Sequence, residues 1–347
     1  HYFSRPLTFL MHGVSMFQTT ATQPKLTNAD EIAISADIKH NTTHYFQYNI
    51  GLRATAYIHN NTFFYAFDPR LTLHFIPHKD HIISLHYGIY HQFFHKSGLT
   101  GGGLPTDFFF LASQSFKPER AHSLSLKYVT SFLNNRYSLS TEVYFKQIYD
   151  MAESTSNVLQ VLNQQFTYDS YIISTDGRNY GLNFMFLKNS GIITGYISYS
   201  LGKAQRRMPE LEGYNDYRYT ASSERMHDLK LMIASHFAKR WHLSALFVLA
   251  SGLPYTPAEE AYFFNSKMIC RYATYNSRQL PLYHRLDISL SCDIIKTNQH
   301  ELGINISAFN VYNHANAQFS VYRENLKPIY GTSFSTIIPS ISIYGKF

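Results

Sequence analysis

Cysteine, tryptophan and charge are all scarce in this sequence. Its 347 residues include two cysteines and one tryptophan, and only 15% of them are charged. Two cysteines cannot hold a chain of this length in a disulfide scaffold. Disordered chains are rich in charge and poor in aromatic residues, whereas 16% of this sequence is aromatic, with 28 tyrosines and 27 phenylalanines. The composition therefore excludes a disulfide-rich domain and an intrinsically disordered chain.

Long apolar runs are also missing. The longest candidate, Leu243 to Ala250, contains Ser244 and is less than half of the roughly 18 residues that a transmembrane helix requires. The chain starts at His1 and has no basic segment followed by an apolar one, so no signal peptide is visible. We therefore expect His1 to be either a mature N-terminus or the first residue of a piece of a longer protein.

The net charge of +7 raises the question of nucleic-acid binding. The basic residues do not form a patch or stripe, however, and the notable runs are Lys203–Arg207 and Arg323–Lys327. Nucleic-acid-binding domains concentrate their basic residues on one face. The sequence therefore predicts no nucleic-acid partner.

Apolar and polar residues alternate with a period of two along most of the chain. From Arg285 to Ile294 every even position is apolar and every odd one is polar, and Ile32–Lys39 follows the same rule except at Ala33. Such alternation gives a β-strand one apolar and one polar face. About fourteen such segments are present, near 5–19, 28–40, 44–58, 66–77, 81–94, 119–132, 135–149, 177–188, 191–203, 226–238, 241–251, 283–296, 300–313 and 335–347.

The connections between these segments alternate between short and long, except that those near 20–27 and 59–65 belong to the long side yet are brief. The short ones are rich in Asn, Gly, Lys and Asp, which suit tight turns. Outer-membrane barrels have short periplasmic turns and long extracellular loops, and lipid requires the sheet to close. The pattern predicts an all-β, transmembrane antiparallel β-barrel in the bacterial outer membrane. We expect its extracellular loops near 95–118, 150–176, 204–225, 252–282 and 314–334.

Several stretches, in the same order, resemble the C-terminal portion of the barrel of TonB-dependent outer-membrane receptors. They include Asp68–Leu73, Lys117–Leu126, Ala250–Pro257 and Phe309–Asn316. These sequence motifs are more similar to those of the smaller receptors than to those of the large SusC-like glycan importers. The resemblance implies a barrel of roughly 22 strands, of which about fourteen are present here. It also implies that about eight preceding strands and the plug domain are absent from this chain.

The resemblance further implies a function and a set of partners. Extracellular loops would bind a scarce solute, which would be imported with energy from a TonB-type inner-membrane protein acting on the missing part. The partners are the bilayer, the outer-membrane lipids, and the missing strands and plug, in the same gene product or in a second chain. A surface lipoprotein partner is left open. Phe347 matches the terminal aromatic residue that directs barrel insertion.

The polar inner face is the surface that this sequence predicts to be functional. Its residues either satisfy one another and the plug or contact solute. The candidate substrate-binding residues are Arg53, His86, Lys127, Glu142, Asn183, Asp228, Lys230, Arg285 and Asp287, with Asn305 on the same face. Aromatic residues of the long loops are expected to meet the solute first.

No catalytic, cofactor or metal site is expected. The chain has no G-x-S-x-G, H-E-x-x-H or P-loop motif, so the sequence does not predict an enzyme. His86, His91 and His95 are close in sequence, but His86 has the opposite strand parity to the other two, which argues against convergent metal ligands.

Two other functions are compatible with the pattern. A complete fourteen-stranded passive channel would have the even strand number of bacterial barrels, and a surface adhesion barrel would bind material without transport. The sequence leaves the solute open among siderophore, haem, cobalamin, peptide and glycan.

Overall fold

The computed structural model describes residues 2–3, 26–98, 107–154, 172–208, 217–238, 240–264, 267–297, 300–322, 327–332 and 336–346. Within these ranges the regular elements are all strands, and no helix there is long and apolar enough to cross a membrane. The strands are β1 (Tyr2–Phe3), β2 (Leu26–Thr27), β3 (Asp30–Asn41), β4 (Phe46–His59), β5 (Thr62–His78), β6 (His81–Gln92), β7 (Phe94–Gly98), β8 (Asp107–Leu111), β9 (Glu119–Phe132), β10 (Tyr137–Ser154), β11 (Ile172–Lys188), β12 (Ile193–Met208), β13 (Tyr217–Thr220), β14 (His227–Ala238), β15 (Trp241–Ala250), β16 (Pro254–Tyr255), β17 (Ala258–Phe264), β18 (Lys267–Tyr272), β19 (Arg278–Gln279), β20 (Tyr283–Lys296), β21 (Glu301–Phe309), β22 (Ala317–Tyr322), β23 (Pro328–Thr332) and β24 (Ile338–Lys346).

One sheet of 14 strands dominates the structure. Thirteen strands follow one another in the order β3-β4-β5-β6-β9-β10-β11-β12-β14-β15-β20-β21-β24, and the short β13 pairs with β12. Every pairing is antiparallel, so the sheet is a meander. These thirteen correspond to thirteen of the fourteen predicted segments, which confirms the all-β fold. The remaining prediction, 5–19, lies outside the described residues.

The outward face of this sheet carries a continuous apolar band. The strand registers align side chains of one parity across all thirteen strands, and their apolar members include many exposed large side chains. Because lipid solvates apolar side chains and water does not, this is the face that a bilayer would cover. One such row, read across adjacent strands, is Ile38–Ile50–Leu71–Tyr87–Leu124–Phe145–Tyr180, and another is Leu290–Ile306–Ile341.

Tight turns join the strands at one end of the sheet. In the turn from β9 to β10, Leu133, Asn134 and Asn135 have φ of 53°, 55° and 61°, a left-handed backbone that asparagine tolerates better than most residues. One connection at the opposite end is also tight: β4 passes to β5 at Asn60, where φ is 50°. Three of the other connections at that end carry the small hairpins β7–β8, β17–β18 and β22–β23.

Three neighbouring strands are among the longest of the sheet, and β5, with 17 residues, is the other long strand. β10, β11 and β12 have 18, 17 and 16 residues, while β15 has 10 and β24 has 9. The long strands continue into the ranges near 150–176 and 204–225 that the sequence predicts as loops. A bulge between Ile148 and Met151 accompanies the extension of β10.

The sheet has two open edges among the described residues. β3 and β24 end the strand order, and each has one neighbour in the sheet. No described register joins β3 to β24. This part of the chain therefore forms a curved wall segment with two edges.

Candidate functional site

A single row of polar side chains crosses the inward face at mid-height. Lys127 lies opposite Glu142, Glu142 opposite Asn183, and Ser200 connects Asn183 to Asp228. The Asn183 amide donates a hydrogen bond of 3.4 Å to Glu142 Oε2. The structure therefore brings four of the predicted residues together in one row across β9, β10, β11, β12 and β14.

The next predicted residues continue this polar surface toward β20. Asp228 and Lys230 form an ion pair of 3.2 Å along β14. Val248 on β15 separates Lys230 from Arg285 in the register. Arg285 Nε lies 3.1 Å from Asp287 Oδ2, and its guanidinium stacks over Phe309 at 4.3 Å. Both acids are thus paired with a base on their own strand.

Arg53, His86 and Asn305 lie elsewhere on the inward face. Arg53 forms an ion pair of 2.8 Å with Glu31. The two ring nitrogens of His86 are hydrogen-bonded to Thr72 at 2.9 Å and Tyr90 at 2.8 Å. The Asn305 amide donates to Ser289 and Ser291 at 2.7 and 2.9 Å. These residues do not join the central row, and contact of any predicted residue with solute stays a prediction.

Glycines make room for one tyrosine within this wall. Gly181 and Gly202 face each other across β11 and β12. A Cβ atom added at either glycine would lie 2.9 Å from the Tyr144 hydroxyl oxygen. Larger residues there would displace the tyrosine ring that covers this bare backbone.

The outward face becomes polar at a defined level near the long connections. His122, Gln147, Arg178 and Gln205 lie side by side in the register of β9 to β12. Strand residues beyond this row toward the long connections stand outside the apolar band. The long β10, β11 and β12 therefore rise above the membrane-spanning part of the sheet.

A buried polar cluster, here called the Arg206 cluster, occupies the inward face of this raised wall. It consists of Glu119, Glu153, Asn179, Arg206 and Tyr219. Arg206 is 7% exposed. Its Nε lies 3.4 Å from Glu153 Oε1, and its guanidinium group donates a hydrogen bond of 3.0 Å to Asn179 Oδ1. Tyr219 lies opposite Arg206 in the β12–β13 register.

Burial dominates the acid–base behaviour of the Arg206 cluster. It raises the pKa of Glu153 and of Glu119 above the ordinary value, and the positive charge of Arg206 opposes both shifts. Burial also raises the pKa of Tyr219, so its phenol stays protonated. The cluster thus holds two carboxyl groups that accept protons more readily than free ones, beside one fixed cation.

The sequence did not single out the Arg206 cluster. Arg206 belongs to the basic run Lys203–Arg207, whose alternation would have assigned it to the inward face. Glu153 could not be assigned in this way because the bulge after Ile148 reverses the parity of β10.

A second cluster missed by the sequence lies near the tight turns. The carboxylate of Asp293, a residue 1% exposed, lies 3.0 Å from His242 Nε2 and accepts a hydrogen bond of 2.6 Å from Lys296. The Tyr344 hydroxyl on β24 donates a hydrogen bond of 2.6 Å to the same carboxylate. His236 and His242 also contact each other through their Nδ1 atoms. The period-two pattern of β20 places Asp293 on the inward face but does not predict its partners.

The histidines near the long connections have separate partners. His91 Nδ1 lies 2.6 Å from Asp68 Oδ1. His95 is 1% exposed and stacks on Phe110 with ring centroids 5.0 Å apart. Within the described ranges, no three His, Cys, Asp or Glu side chains converge as metal ligands. The proposed insertion residue Phe347 lies outside the described residues.

Comparison with known proteins identifies the family. The family described as "TonB dependent receptor-like, beta-barrel" matches residues 17–313. No curated protein matches the sequence significantly. Solved structures with the same fold are outer-membrane receptors, and the chain spans less than half the length of each of those compared below.

Three solved structures illustrate the similarity. The ferripyoverdine receptor of Pseudomonas aeruginosa aligns with a TM-score of 0.61 and 11% identity over 94% of this chain and 40% of that one. The ferric-catecholate import receptor Fiu of E. coli K12 gives 0.59 and 12% over 92% and 44%. BauA, the ferric preacinetobactin receptor of Acinetobacter baumannii, gives 0.56 and 13% over 94% and 44%.

The antiparallel meander, its apolar outer face and the family match agree with one another. Proteins of this family are transport receptors rather than enzymes, and they lie in the bacterial outer membrane. This chain belongs to the TonB-dependent receptor-like β-barrel family and forms a large part of such a barrel wall.

Proposed function

We propose that this chain supplies the barrel wall and outer loops of a receptor that imports a scarce solute across the outer membrane. The observation that carries this proposal is the family match over 17–313. An apolar outer face and a polar, fully aligned inner face support it, because a transport receptor needs a lipid-covered barrel around a hydrated interior.

The proposed solute class is a ferric siderophore. The structures that align with this chain include receptors for ferripyoverdine, for ferric catecholates and for ferric preacinetobactin. Their identities to this chain are 13% or lower, so they support a class of solute and not one compound. Among the solutes that the sequence leaves open, this class has the most support.

The inner wall has two surfaces with different proposed roles. The central row from Lys127 to Asp228 lies in continuous register across five strands, and its Asn183 amide donates a hydrogen bond to Glu142. The Arg206 cluster stands higher, at the level of the loops. We assign solute contact to the raised wall and loops, and plug contact to the central row. We therefore propose that the nine candidate substrate-binding residues named from the sequence contact the plug before any solute.

The proposed mechanism requires parts beyond the described wall. Loops capture the solute, a plug held by the inner face is rearranged by a TonB-type inner-membrane protein, and the solute enters the periplasm. The remaining strands and plug lie in the same polypeptide or in a second one, and a surface lipoprotein is an additional candidate partner. We assign the long connections to the outside of the cell.

The proposal is tested by uptake of iron in the bacterium that carries this protein. Deletion of the gene should abolish growth on one ferric siderophore as the iron source, and the intact gene should restore it. Uptake of radiolabelled iron should stop when the proton gradient is dissipated. Growth unchanged on every siderophore tested would remove the proposed solute class.

Conductance separates this function from the passive channel. A plugged receptor reconstituted in a planar bilayer should carry no steady ion current. A fourteen-stranded channel would conduct continuously and would take up small solutes without an energy source. Steady conductance by the intact protein would therefore favour the channel.

A further inference from the structure

The connection between β15 and β20, residues 251–282, has a defined fold of its own and is here called the hairpin connection. Its two ends pair as β16 and β19, in which Tyr255 lies opposite Arg278. The amide of the buried Leu280 donates a hydrogen bond of 2.9 Å to the Leu253 carbonyl. Between these ends, β17 and β18 form an antiparallel hairpin. The hairpin is thus carried on a paired stem.

One residue of the hairpin connection, Asn276, is buried against the segment that follows β13. Asn276 is 8% exposed. Its side-chain amide donates hydrogen bonds of 2.8 Å to the Thr220 carbonyl and 3.1 Å to Ser222 Oγ. Its backbone amide donates a hydrogen bond of 3.0 Å to Thr256 Oγ1, within the hairpin connection itself. The side chain of Asn276 therefore joins two connections that are separate in the sequence.

Tyr275, the residue before Asn276, extends this contact to the raised wall. The Tyr275 ring meets the Tyr219 ring edge-on, with centroids 5.0 Å apart. Tyr219 belongs to the Arg206 cluster and lies opposite Arg206 in the β12–β13 register. The hairpin connection therefore rests on the part of the wall to which we assign solute contact.

The backbone of Asn276 allows its side chain to be tested separately from the shape of the turn. Its φ of 53° is a left-handed conformation, which asparagine and glycine adopt more readily than most residues. A glycine at this position would keep that backbone and remove only the side-chain amide. The two hydrogen bonds of this amide lie outside the strand pairing of the sheet, so their loss leaves the sheet registers in place.

We propose that Asn276 is a positioning residue for solute capture, which holds the hairpin connection against the raised wall so that both form one binding surface. The hairpin exposes Tyr262 and the ion pair of Glu260 with Arg271, which can contact a polar solute. A connection held in its binding conformation gives higher affinity than a mobile one, because a mobile one must be ordered when the solute binds. The inference rests on the proposed function, since it requires that these connections bind a solute.

The experiment compares two asparagine-to-glycine variants of the full-length receptor that contains this chain. Asn276→Gly removes the two side-chain hydrogen bonds. Asn134→Gly is the matched control, because Asn134 also has a left-handed backbone, with φ of 55°, but lies in a tight turn at the opposite end of the sheet. Ser222→Ala removes one of the two acceptors and should act in the same direction as Asn276→Gly, with a smaller effect.

The position of the hairpin connection is measured without any solute. Spin labels are attached through Glu260→Cys on β17 and Arg218→Cys on β13, two exposed positions, in a receptor without other reactive cysteines. Pulsed electron spin resonance then gives the distribution of distances between the labels. We expect a narrow distribution in the otherwise unmodified receptor and in Asn134→Gly, and a broader one in Asn276→Gly.

Affinity and transport are measured separately, with the ferric siderophore that supports growth. We expect Asn276→Gly to raise the Kd of that siderophore about tenfold, since the loss of two hydrogen bonds lowers the population of the held conformation by about that factor. The rate of iron uptake at saturating siderophore should stay unchanged, because the solute itself then holds the connection in place. A merely structural role would lower the saturating rate, since less folded receptor would be present.

Four outcomes would overturn the inference. They are an unchanged distance distribution in Asn276→Gly, a broader distribution with unchanged affinity, an equal loss of affinity in Asn134→Gly, and a saturating uptake rate that falls as much as the affinity. If the unmodified receptor bound no ferric siderophore, the proposed solute class would fail instead. The distance distribution would still decide whether Asn276 holds the hairpin connection, so the two failures are distinguishable.

Discussion

The Tyr344 hydroxyl donates a hydrogen bond of 2.6 Å to the buried carboxylate of Asp293. Its ring lies over Gly303 of the intervening strand, where an added Cβ atom would be 2.2 Å from Tyr344 Cζ. This bond ties the last strand of the sheet to β20 across β21.

Removing the Tyr344 hydroxyl should loosen the final strand. We expect Tyr344→Phe to lower the free energy of unfolding by about 1.5–3 kcal/mol, the range for a hydrogen bond to a charged group. Unfolding of the receptor in detergent by urea measures this loss. Tyr45→Phe, at an exposed residue near the first tight turn, is the control and should be neutral. Equal losses of unfolding free energy in the two variants would show that the Tyr344–Asp293 hydrogen bond does not stabilise the final strand.

Gly303→Ala should be more damaging than a surface glycine substitution, for a steric reason. The new methyl group must displace the Tyr344 ring, which would weaken the same hydrogen bond. The double variant Gly303→Ala with Tyr344→Ala should recover part of the loss because the obstructing ring is gone. Fully additive losses in urea unfolding would contradict this coupling.

The outward and inward faces should differ sharply in their tolerance of charge. Arg in place of Ile197 or Ile288 would lie in hydrocarbon and should cost about 2–4 kcal/mol at the bilayer midplane. Arg in place of Ser198 or Ser289, one residue further along the same strands, should cost much less. The fraction of folded receptor after refolding into vesicles measures both. Equal tolerance at the two sets would mean that the assigned faces are wrong.

The proposed topology can be tested by labelling on intact cells. A cysteine at Glu260, an exposed residue of β17, should react with a membrane-impermeant maleimide. Cysteines at Asn134 and Asn189, in the tight turns, should react only after the cells are broken. The reverse pattern would invert the barrel in the membrane.

Stability should depend on pH through the Arg206 cluster. Glu153 has a raised pKa in the folded protein, so the folded state binds more protons than the unfolded state between the ordinary value of 4.5 and that raised pKa. The free energy of unfolding should therefore decrease as pH rises through this window and increase as pH drops toward 4.5. In Glu153→Gln the dependence should become shallower. Thermal unfolding of the receptor at several pH values from 4.5 to 7.5 provides the measurement.

Residues 1–347 alone should not form a closed barrel. An unpaired strand edge in lipid leaves backbone donors and acceptors unsatisfied at several kcal/mol each, and β3 and β24 are such edges among the described residues. On a cold denaturing gel the refolded chain should lack the compact, heat-sensitive band that the full receptor shows. A compact band that also conducts ions would favour the fourteen-stranded channel.

Period-two alternation was sufficient to predict which side chains share a face. It placed Arg285 with Asp287 and Asp228 with Lys230, and both pairs form ion pairs in the structure. The period-two pattern also located thirteen of the strands. Their order in the sheet follows the order in the sequence, because consecutive strands of an antiparallel meander are neighbours.

Contacts that depend on register across several strands could not be predicted in this way. Glu153 reaches Arg206 only because the β10 bulge reverses its parity. Asp293 gathers donors from β15 and β24, which are 51 residues away in either direction. The lengths of β10–β12 were underestimated because their upper parts combine a polar outward face with the buried polar Arg206 cluster inward, and so lose the apolar–polar alternation that marks a lipid-facing strand.

The edge of this wall near the long connections is built in two ways. β10–β12 continue as strands of the main sheet beyond the apolar band, whereas after β15 and β21 the chain leaves the main sheet and forms the separate hairpins β17–β18 and β22–β23. A bulky particle that approaches along the cell surface, such as an antibody or a bacteriophage tail, meets continuous sheet on the first side and separate hairpins on the second. Selection by such agents should therefore fall mainly on the connections around β15–β21, and those segments should be the ones that vary between strains.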